Sequence, residues 1–216
     1  MVQENLFSKH RRDYTKLTLS KSELRASPFQ QFQNWFHDIE ELDNSAPNAM
    51  TLSTSTLNGK PSSRIVLLKS YDNDGFVFFT NYDSRKGKEL IENPQASLLF
   101  YWIELEREVR IEGNVQKVTR EESLTYFHNR PRESQLGAWA SLQSRPLENR
   151  EELDQRYSDY EKQFKEKDIP LPNNWGGFRL IPSSFEFFQG RSSRLHDRFL
   201  YQKEDKGTWE IVRLNP

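Results

Sequence analysis

Residues 49–81 read AMTLSTSTLNGKPSSRIVLLKSYDNDGFVFFTN, and they decide the fold class. Three strand-like runs are separated by Asn58-Gly59 and by Asn73-Asp74-Gly75, which are strong signals for tight turns. Consecutive strands joined by tight turns form antiparallel meanders rather than strand–helix–strand crossovers, and such sheets commonly close into a barrel. The predicted strands of this stretch are 49–56, 64–69 and 76–81.

The strand pattern continues towards the C-terminus. Runs rich in apolar, aromatic and β-branched residues recur there between turn residues, which predicts more strands of the same sheet. The fold class predicted is therefore mainly β with peripheral helices. The additional strands are 96–103, 107–118, 178–190, 198–203 and 208–214.

Helical patterns lie between and before the strands. Ser27 as N-cap and Pro28 at the first helical position begin one helix, whose buried stripe is predicted to be Phe29, Phe32, Phe36 and Ile39. Thr119 to Glu122 is a capping-box pattern, and Pro131 interrupts the helix that it begins. Other helices are predicted at 84–92, 132–141 and 148–167.

The domain organisation follows from composition along the chain. Residues 1–26 are polar and lack periodicity, so they are predicted to be a flexible N-terminal arm. Residues 27–216 contain no internal repeat, low-complexity segment or linker, and they are predicted to form a single domain.

The composition argues against several classes of protein. A net charge of −1 disfavours general binding to nucleic acid or membranes. The absence of cysteine excludes disulfides and thiolate sites, and the 4 histidines show no spacing typical of metal ligands. The chain has no apolar leader and no run of membrane-spanning length, so a cytoplasmic protein is expected.

Basic residues form candidate anion sites. The phosphate-binding motifs GxGxxG and GxxxxGK[ST] are absent, so side chains would have to bind any phosphate. Arg64, Arg85 and Lys86 are candidates, although Arg85 and Lys86 also fit an exposed turn. Tyr126 and Arg130 share a helix face, with Ser134 just beyond the break; simple packing is the alternative for this pair.

A third basic group lies in RLHDR, residues 194–198. In an extended chain Arg194, His196 and Arg198 project to one side, as the wall of a site would require. An edge strand with protective charges is the competing interpretation, and the pattern does not separate the two.

Eight motifs along the chain can be compared with known families: RRDY (11–14), RIVLLK (64–69), FTNYDSRKG (79–87), YFHNRPRESQLGAWAS (126–141), QS (143–144), WGGFR (175–179), FFQGRSSRLHDRF (187–199) and the terminal RLNP. Together these motifs resemble the pyridoxine/pyridoxamine 5′-phosphate oxidase family, in the family's order and over nearly the whole chain. The resemblance implies an antiparallel split β-barrel that forms a homodimer and holds flavin mononucleotide (FMN) at the subunit interface.

The resemblance also implies which residues form the site. Arg194 and His196 are expected to act in catalysis. Residues expected to bind FMN are Arg64, Ile65, Val66, Leu67, Leu68, Lys69, Phe79, Thr80, Arg85, Lys86, Glu108, Gln143, Ser144, Phe188 and Arg198. Residues expected to bind substrate are Arg11, Tyr14, Lys69, Tyr126, Arg130, Ser134, Arg194, Leu195 and His196.

The activity implied is oxidation of pyridoxamine 5′-phosphate and pyridoxine 5′-phosphate to pyridoxal 5′-phosphate, with O2 as acceptor and H2O2 as product. Two alternatives stay open: a split-barrel flavin reductase with another substrate, and a non-catalytic flavin or pyridoxal phosphate binding protein. The set Tyr126, Arg130 and Ser134 argues against the reductase, because it would form a phosphate site separate from that of the flavin.

Three residues depart from the family's pattern: Phe79 replaces tyrosine, Phe188 replaces tryptophan and Glu108 replaces glutamine. We expect Glu108 either to be protonated or to turn towards Arg107 or Arg110, of which Arg110 shares its strand face. Arg64 and Lys69 are five residues apart, so both face one site only if the strand bulges or ends between them.

Overall fold

The computed structural model describes residues 13–42 and 46–216. The chain divides into two compact units, each built from separated segments. The terminal unit contains Met1–Pro47, Leu99–Ile111 and Ser184–Pro216, and the central unit contains Asn48–Leu98 and Glu112–Ser183. A single domain over 27–216 stays a prediction.

The described residues form nine strands of one sheet. Their order is β2-β1-β5-β6-β7-β4-β3, with β8 paired to both β7 and β9, and the β1–β2, β3–β4, β4–β7, β7–β8 and β8–β9 pairs are antiparallel. Every strand predicted from the sequence is present; the short β3 was not predicted. The strands are β1 Ala49–Ser55, β2 Pro61–Leu67, β3 Ser70–Asp72, β4 Gly75–Asn81, β5 Gln95–Trp102, β6 Arg107–Lys117, β7 Trp175–Gln189, β8 Asp197–Lys203 and β9 Trp209–Leu214.

The predicted helices are also present, and their capping explains where they begin. The side chains of Ser84, Thr119 and Asn149 accept hydrogen bonds from backbone N–H groups in the first turns of α2, α3 and α5. Within the described residues no helix is long and apolar enough to cross a bilayer. The helices are α1 Pro28–Glu40, α2 Arg85–Glu92, α3 Arg120–His128, α4 Arg132–Ala140 and α5 Arg150–Gln163.

The core of the terminal unit lies under α1. Phe32 and Ile39 of the predicted stripe are buried, whereas Phe29 and Phe36 are half-buried. Trp35, which the predicted stripe left out, is buried and packs edge-on against Phe187 with 5.2 Å between the ring centroids. The apolar face of the helix is thus centred slightly to one side of the predicted one.

Part of the predicted arm packs against other segments of the terminal unit. Leu19 is buried and its N–H donates to the carboxylate of Asp197 at 3.1 Å. The Tyr201 hydroxyl donates to the carbonyl of Arg25 at 2.7 Å. Residues 1–12 of the arm lie outside the described part of the chain, and the predicted flexibility of the arm stays a prediction.

The central unit has a second aromatic core under its helices. Phe127, Leu136, Phe164 and Trp175 are buried in it together with Ile169 and Leu171. The guanidinium of Arg120 donates to the carbonyl oxygens of Leu171, Pro172 and Trp175 at 2.8, 3.0 and 3.2 Å. The loop before β7 is therefore fixed against the start of α3.

Candidate active site

A cavity of about 640 Å³ opens in the central unit, within the size range of small-molecule sites. Strands β2 and β4, helices α2, α3 and α4 and the start of β7 supply its walls. Eleven of the residues predicted to bind cofactor or substrate line it: Ile65, Val66, Leu67, Lys69, Phe79, Thr80, Lys86, Tyr126, Arg130, Ser134 and Gln143.

The helix break at Pro131 brings three predicted phosphate contacts to this cavity. Tyr126 lies on α3, Arg130 follows its last turn, and Ser134 lies in the first turn of α4. Pro131 is the N-cap of α4, and its carbonyl accepts the N–H of Ser134 at 2.9 Å. Two short helices meeting at a proline thus direct side chains from both sides into one space.

Arg130 has unsatisfied hydrogen-bonding capacity. Its Nη1 atom is buried and has no hydrogen-bond partner within the described residues. Burial lowers the pKa of Arg130, which the neighbouring Tyr126 partly offsets. Because an unpaired buried N–H is costly, this donor favours an acceptor from a ligand.

Lys86 is another cationic residue that lines the cavity. Its Nζ atom lies 3.1 Å from Thr80 Oγ1 and 3.3 Å from Gln143 Oε1, both uncharged partners. Burial lowers the pKa of Lys86, and the positive charge of Arg64 lowers it further. An anion at this place would relieve the repulsion between the two cations.

Arg64 and Arg85 do not line the cavity; a buried carboxylate holds both. Glu89 accepts from Arg85 Nε at 2.8 Å, and Arg64 Nη2 lies 3.6 Å from its Oε2. Burial raises the pKa of Glu89, but hydrogen bonds from Ser62, Thr54 and Arg85 outweigh it and bring the pKa to about 2. Glu89 is therefore an anion that fixes both guanidinium groups.

The strand does end between Arg64 and Lys69. β2 stops at Leu67, and Leu68 is buried with its N–H donating to the carbonyl of Asn48 at 2.9 Å. Lys69 then lines the cavity while Arg64 turns to Glu89. Leu68 and Ser144 do not line the cavity, so their cofactor contacts stay predictions.

The terminal unit holds the other predicted residues. The ring of His196 lies 4.7 Å from that of Phe188 and 5.8 Å from that of Tyr14, between centroids. Its Nδ1 accepts the N–H of Arg191 at 3.0 Å, so the neutral ring carries its proton on Nε2. Burial, then Arg194 and Arg198, lower the pKa of His196.

Two family models match the chain. The model described as pyridoxamine 5′-phosphate oxidase matches residues 39–164, which is more than half of the chain. The chain belongs to the pyridoxamine 5′-phosphate oxidase family. A second model, the C-terminal dimerisation region of pyridoxine 5′-phosphate oxidase, matches residues 175–216.

Relatives and solved structures agree with this membership. Pyridoxine/pyridoxamine 5′-phosphate oxidase of Trichormus variabilis is 54% identical, covering 95% of this chain and 96% of its own. The Bordetella pertussis protein of that name is 53% identical, covering 95% and 97%. PhzG from Burkholderia lata, solved with tetrahydrophenazine-1-carboxylic acid, superposes with a TM-score of 0.87 at 29% identity, covering 95% of this chain and all of that one. The predicted split β-barrel class is confirmed.

Arg194, His196 and Arg198 were expected to project to one side of an extended chain. This expectation was wrong for Arg194 and His196, because β8 begins only at Asp197. Ser192–Arg194 form a 3-10 turn in which Ser193 and Arg194 have φ values of 55° and 61°. Leu195 is exposed. Arg194 and His196 therefore lie before β8, and the edge-strand interpretation of RLHDR is wrong for residues 194–196. Arg11 lies outside the described residues.

The two arginines expected beside Glu108 form hydrogen bonds with other groups. Arg110 Nη1 donates to Glu186 at 2.9 Å, and Arg198 Nε donates to the same carboxylate at 2.7 Å. Arg107 is bound to Asp38 and Gln189. Burial raises the pKa of Glu108, with Glu186 adding to the rise and Arg110 and Arg198 opposing it. The protonated alternative stays a prediction.

Several lining residues were missed by the sequence reasoning. Most are small or polar and carry no signal of their own. All six nevertheless lie within the family motifs quoted above, and Trp175 begins WGGFR. These residues are Asn81, Pro131, Gly137, Ala138, Ser141 and Trp175.

Proposed function

We propose that this protein, as an FMN-dependent homodimer, oxidises pyridoxamine 5′-phosphate and pyridoxine 5′-phosphate to pyridoxal 5′-phosphate. Membership of the family and the names of relatives at 53–54% identity support the proposal. The observation that carries it is the cavity's combination of Lys69, Arg130 and Ser134, because the buried Nη1 of Arg130 has no hydrogen-bond partner among the described residues and can donate to a phosphate oxygen.

The residues present fit a flavin phosphate as well. Lys86 presents an ammonium with only uncharged partners, and Glu89 holds the Arg64 and Arg85 guanidinium groups in place. We propose that Lys86 and the two arginines bind the phosphate of FMN, while Thr80 and Gln143 contact its ribityl chain. Ile65 and Leu67 offer apolar surface to the ring system.

When bound, FMN would accept the two electrons released at C4′ and pass them to O2. The amine reaction consumes O2 and water and yields aldehyde, ammonia and H2O2; the alcohol reaction needs no water. Lys69, Tyr126, Arg130 and Ser134 would hold the phosphate, and this remote binding energy fixes the reacting carbon. The chain thus supplies position and electrostatics to the chemistry of the cofactor.

Arg194 and His196 are proposed to orient the pyridine ring. With Nδ1 occupied by the Arg191 N–H, neutral His196 presents a donor, Nε2–H, rather than a base. Its lowered pKa keeps it neutral at physiological pH. Tyr14, beside His196, is proposed to close over the substrate.

The homodimer is supported by the match of residues 175–216 to the family's dimerisation region. Ile65 and Leu67 on the edge strand β2 are 65% and 42% exposed although they line the cavity. A second copy covering this edge would complete the flavin site. We also propose a cytoplasmic location, because a charged phosphate ester does not cross a bilayer unaided.

The experiment is a peroxide assay on protein reconstituted with FMN. Adding pyridoxamine 5′-phosphate should produce H2O2 and pyridoxal 5′-phosphate in equal amounts. Flavin that is bleached anaerobically by another donor, but not by the phosphorylated vitamers, would favour the reductase. Tight flavin or pyridoxal phosphate binding without turnover would identify a binding protein. Either outcome would overturn the proposal.

A further inference from the structure

Trp175 is the residue that contacts both Tyr126 and Arg130. Its ring is 7% exposed and lines the cavity. The plane of the Tyr126 ring lies within 1° of that of Trp175, with the centroids 6.2 Å apart. The guanidinium carbon of Arg130 lies 4.7 Å from the centroid of the Trp175 ring.

This contact is suited to orienting Arg130. A guanidinium stacked on an indole is attracted by the π face and keeps its N–H groups at the edge of the stack. In the described residues Arg130 Nη1 has no hydrogen-bond partner, while the guanidinium packs against the rings of Trp175 and Phe127. The buried Nη1 is thereby kept available without a protein acceptor.

The indole is itself held firmly. Phe79 lies nearly parallel to it, at 11° and 5.5 Å, and stacks on Tyr126 at 3.9 Å. Arg120 donates to the backbone carbonyl of Trp175 at 3.2 Å, and the backbone N–H of Trp175 donates to the carbonyl of Pro172 at 3.2 Å. The indole plane is therefore set by contacts that do not involve a ligand.

We propose that Trp175 is a positioning residue for substrate phosphate, acting through Arg130 and Tyr126. This inference rests on the proposed function, since it assumes that the pair binds phosphate. Loss of the π face should weaken recognition of the phosphate group while leaving the reacting end of the substrate and the flavin in place. The competing role is simple filling of the aromatic core, which would affect all substrates alike.

The test compares Trp175→Leu and Trp175→Phe, in the FMN-loaded enzyme, with pyridoxamine 5′-phosphate and unphosphorylated pyridoxamine. Trp175→Leu should raise KM for the phosphorylated amine about 10-fold, the scale of a desolvated cation–π contact, with little change in kcat. KM for pyridoxamine should stay nearly unchanged. Trp175→Phe keeps a weaker π face and should raise KM about 3-fold.

Trp139→Leu is the matched control. Trp139 packs against Tyr160 and Phe164 in the aromatic core of the same unit, with 5.4 Å between centroids in each pair. The Trp139→Leu variant should be less stable than the wild type but keep the wild-type preference for the phosphorylated amine. If Trp175→Leu does not fold, the smaller shift of Trp175→Phe decides the question.

Two results would overturn the inference: an equal rise of KM for both amines in the Trp175 variants, or the same selectivity change in Trp139→Leu. A wild-type enzyme without turnover of the phosphorylated amine would instead overturn the proposed function, and this inference with it. The two failures are distinguishable because the second appears before any substitution is made.

Discussion

At the scale of single residues, Glu89 shows how burial and hydrogen bonding combine. Its carboxylate is 4% exposed, yet its pKa is about 2, below the ordinary 4.5. A lowered pKa stabilises the fold above the unfolded-state value, and the contribution is lost as pH falls from about 4.5 towards 2. Glu89 is thus ionised in the folded protein at neutral pH.

We therefore predict that Glu89→Gln flattens the acid side of the stability profile. The wild-type free energy of unfolding should fall between pH 5 and 3 by up to about 2 kcal/mol more than that of the variant. Urea unfolding at several pH values measures this difference. Glu92→Gln, an exposed position on the same helix, should keep the wild-type profile. Parallel profiles for Glu89→Gln and wild type would contradict the prediction.

The pKa of Glu108 is shifted in the opposite direction to that of Glu89, because burial raises it. The protonated carboxyl would donate a hydrogen bond to the proposed flavin, as an amide does, until rising pH ionises it. FMN affinity should fall as pH rises through that pKa in the wild type, and Glu108→Gln should remove the dependence. Fluorescence titration of FMN between pH 5 and 9 tests this. Identical profiles would exclude the protonated form.

At the scale of elements, α3 depends on its N-cap residue, Thr119. Thr119 Oγ1 accepts the N–H of Glu122 at 3.0 Å, and the helix carries Tyr126 seven residues later. Thr119→Ala should lower the free energy of unfolding by about 1 kcal/mol. It should also raise KM for the phosphorylated substrate slightly.

Thr119→Ser is the control, because it keeps the hydroxyl that caps the helix. It should retain stability close to that of the wild type in chemical unfolding. Equal losses in the two variants would show that the methyl group, and not the cap, is what α3 requires.

At the scale of the whole molecule, the proposed dimer links assembly to cofactor binding. Ile65 is exposed at the edge strand and lines the cavity. Ile65→Asp should shift sedimentation towards the monomer and weaken FMN binding together, because a buried charge is costly at an apolar interface. Ile91→Asp, at an exposed position of α2, should change neither property. A monomer of Ile65→Asp that binds FMN normally would separate assembly from the site.

The sequence by itself determined the elements. Asn58-Gly59 predicts the first hairpin, Thr119 predicts the start of α3, and Pro131 predicts the break between α3 and α4. The hairpin and both helix boundaries are present in the structure. These features were accessible because turn preference, capping and proline sterics act between residues close in sequence. The residues that gather around the main cavity were likewise named from motifs, although their roles stay predictions.

Only the tertiary structure decided how the charges are paired. Arg64 turns to Glu89, Arg110 turns to Glu186, and Arg194 adopts a positive φ rather than an extended conformation. Trp175 joins Arg130 from 45 positions away in the chain. Such contacts depend on which distant strands and helices share a core. Local periodicity does not show which charged groups pair, because the partner of a side chain depends on all the neighbours that folding brings close to it.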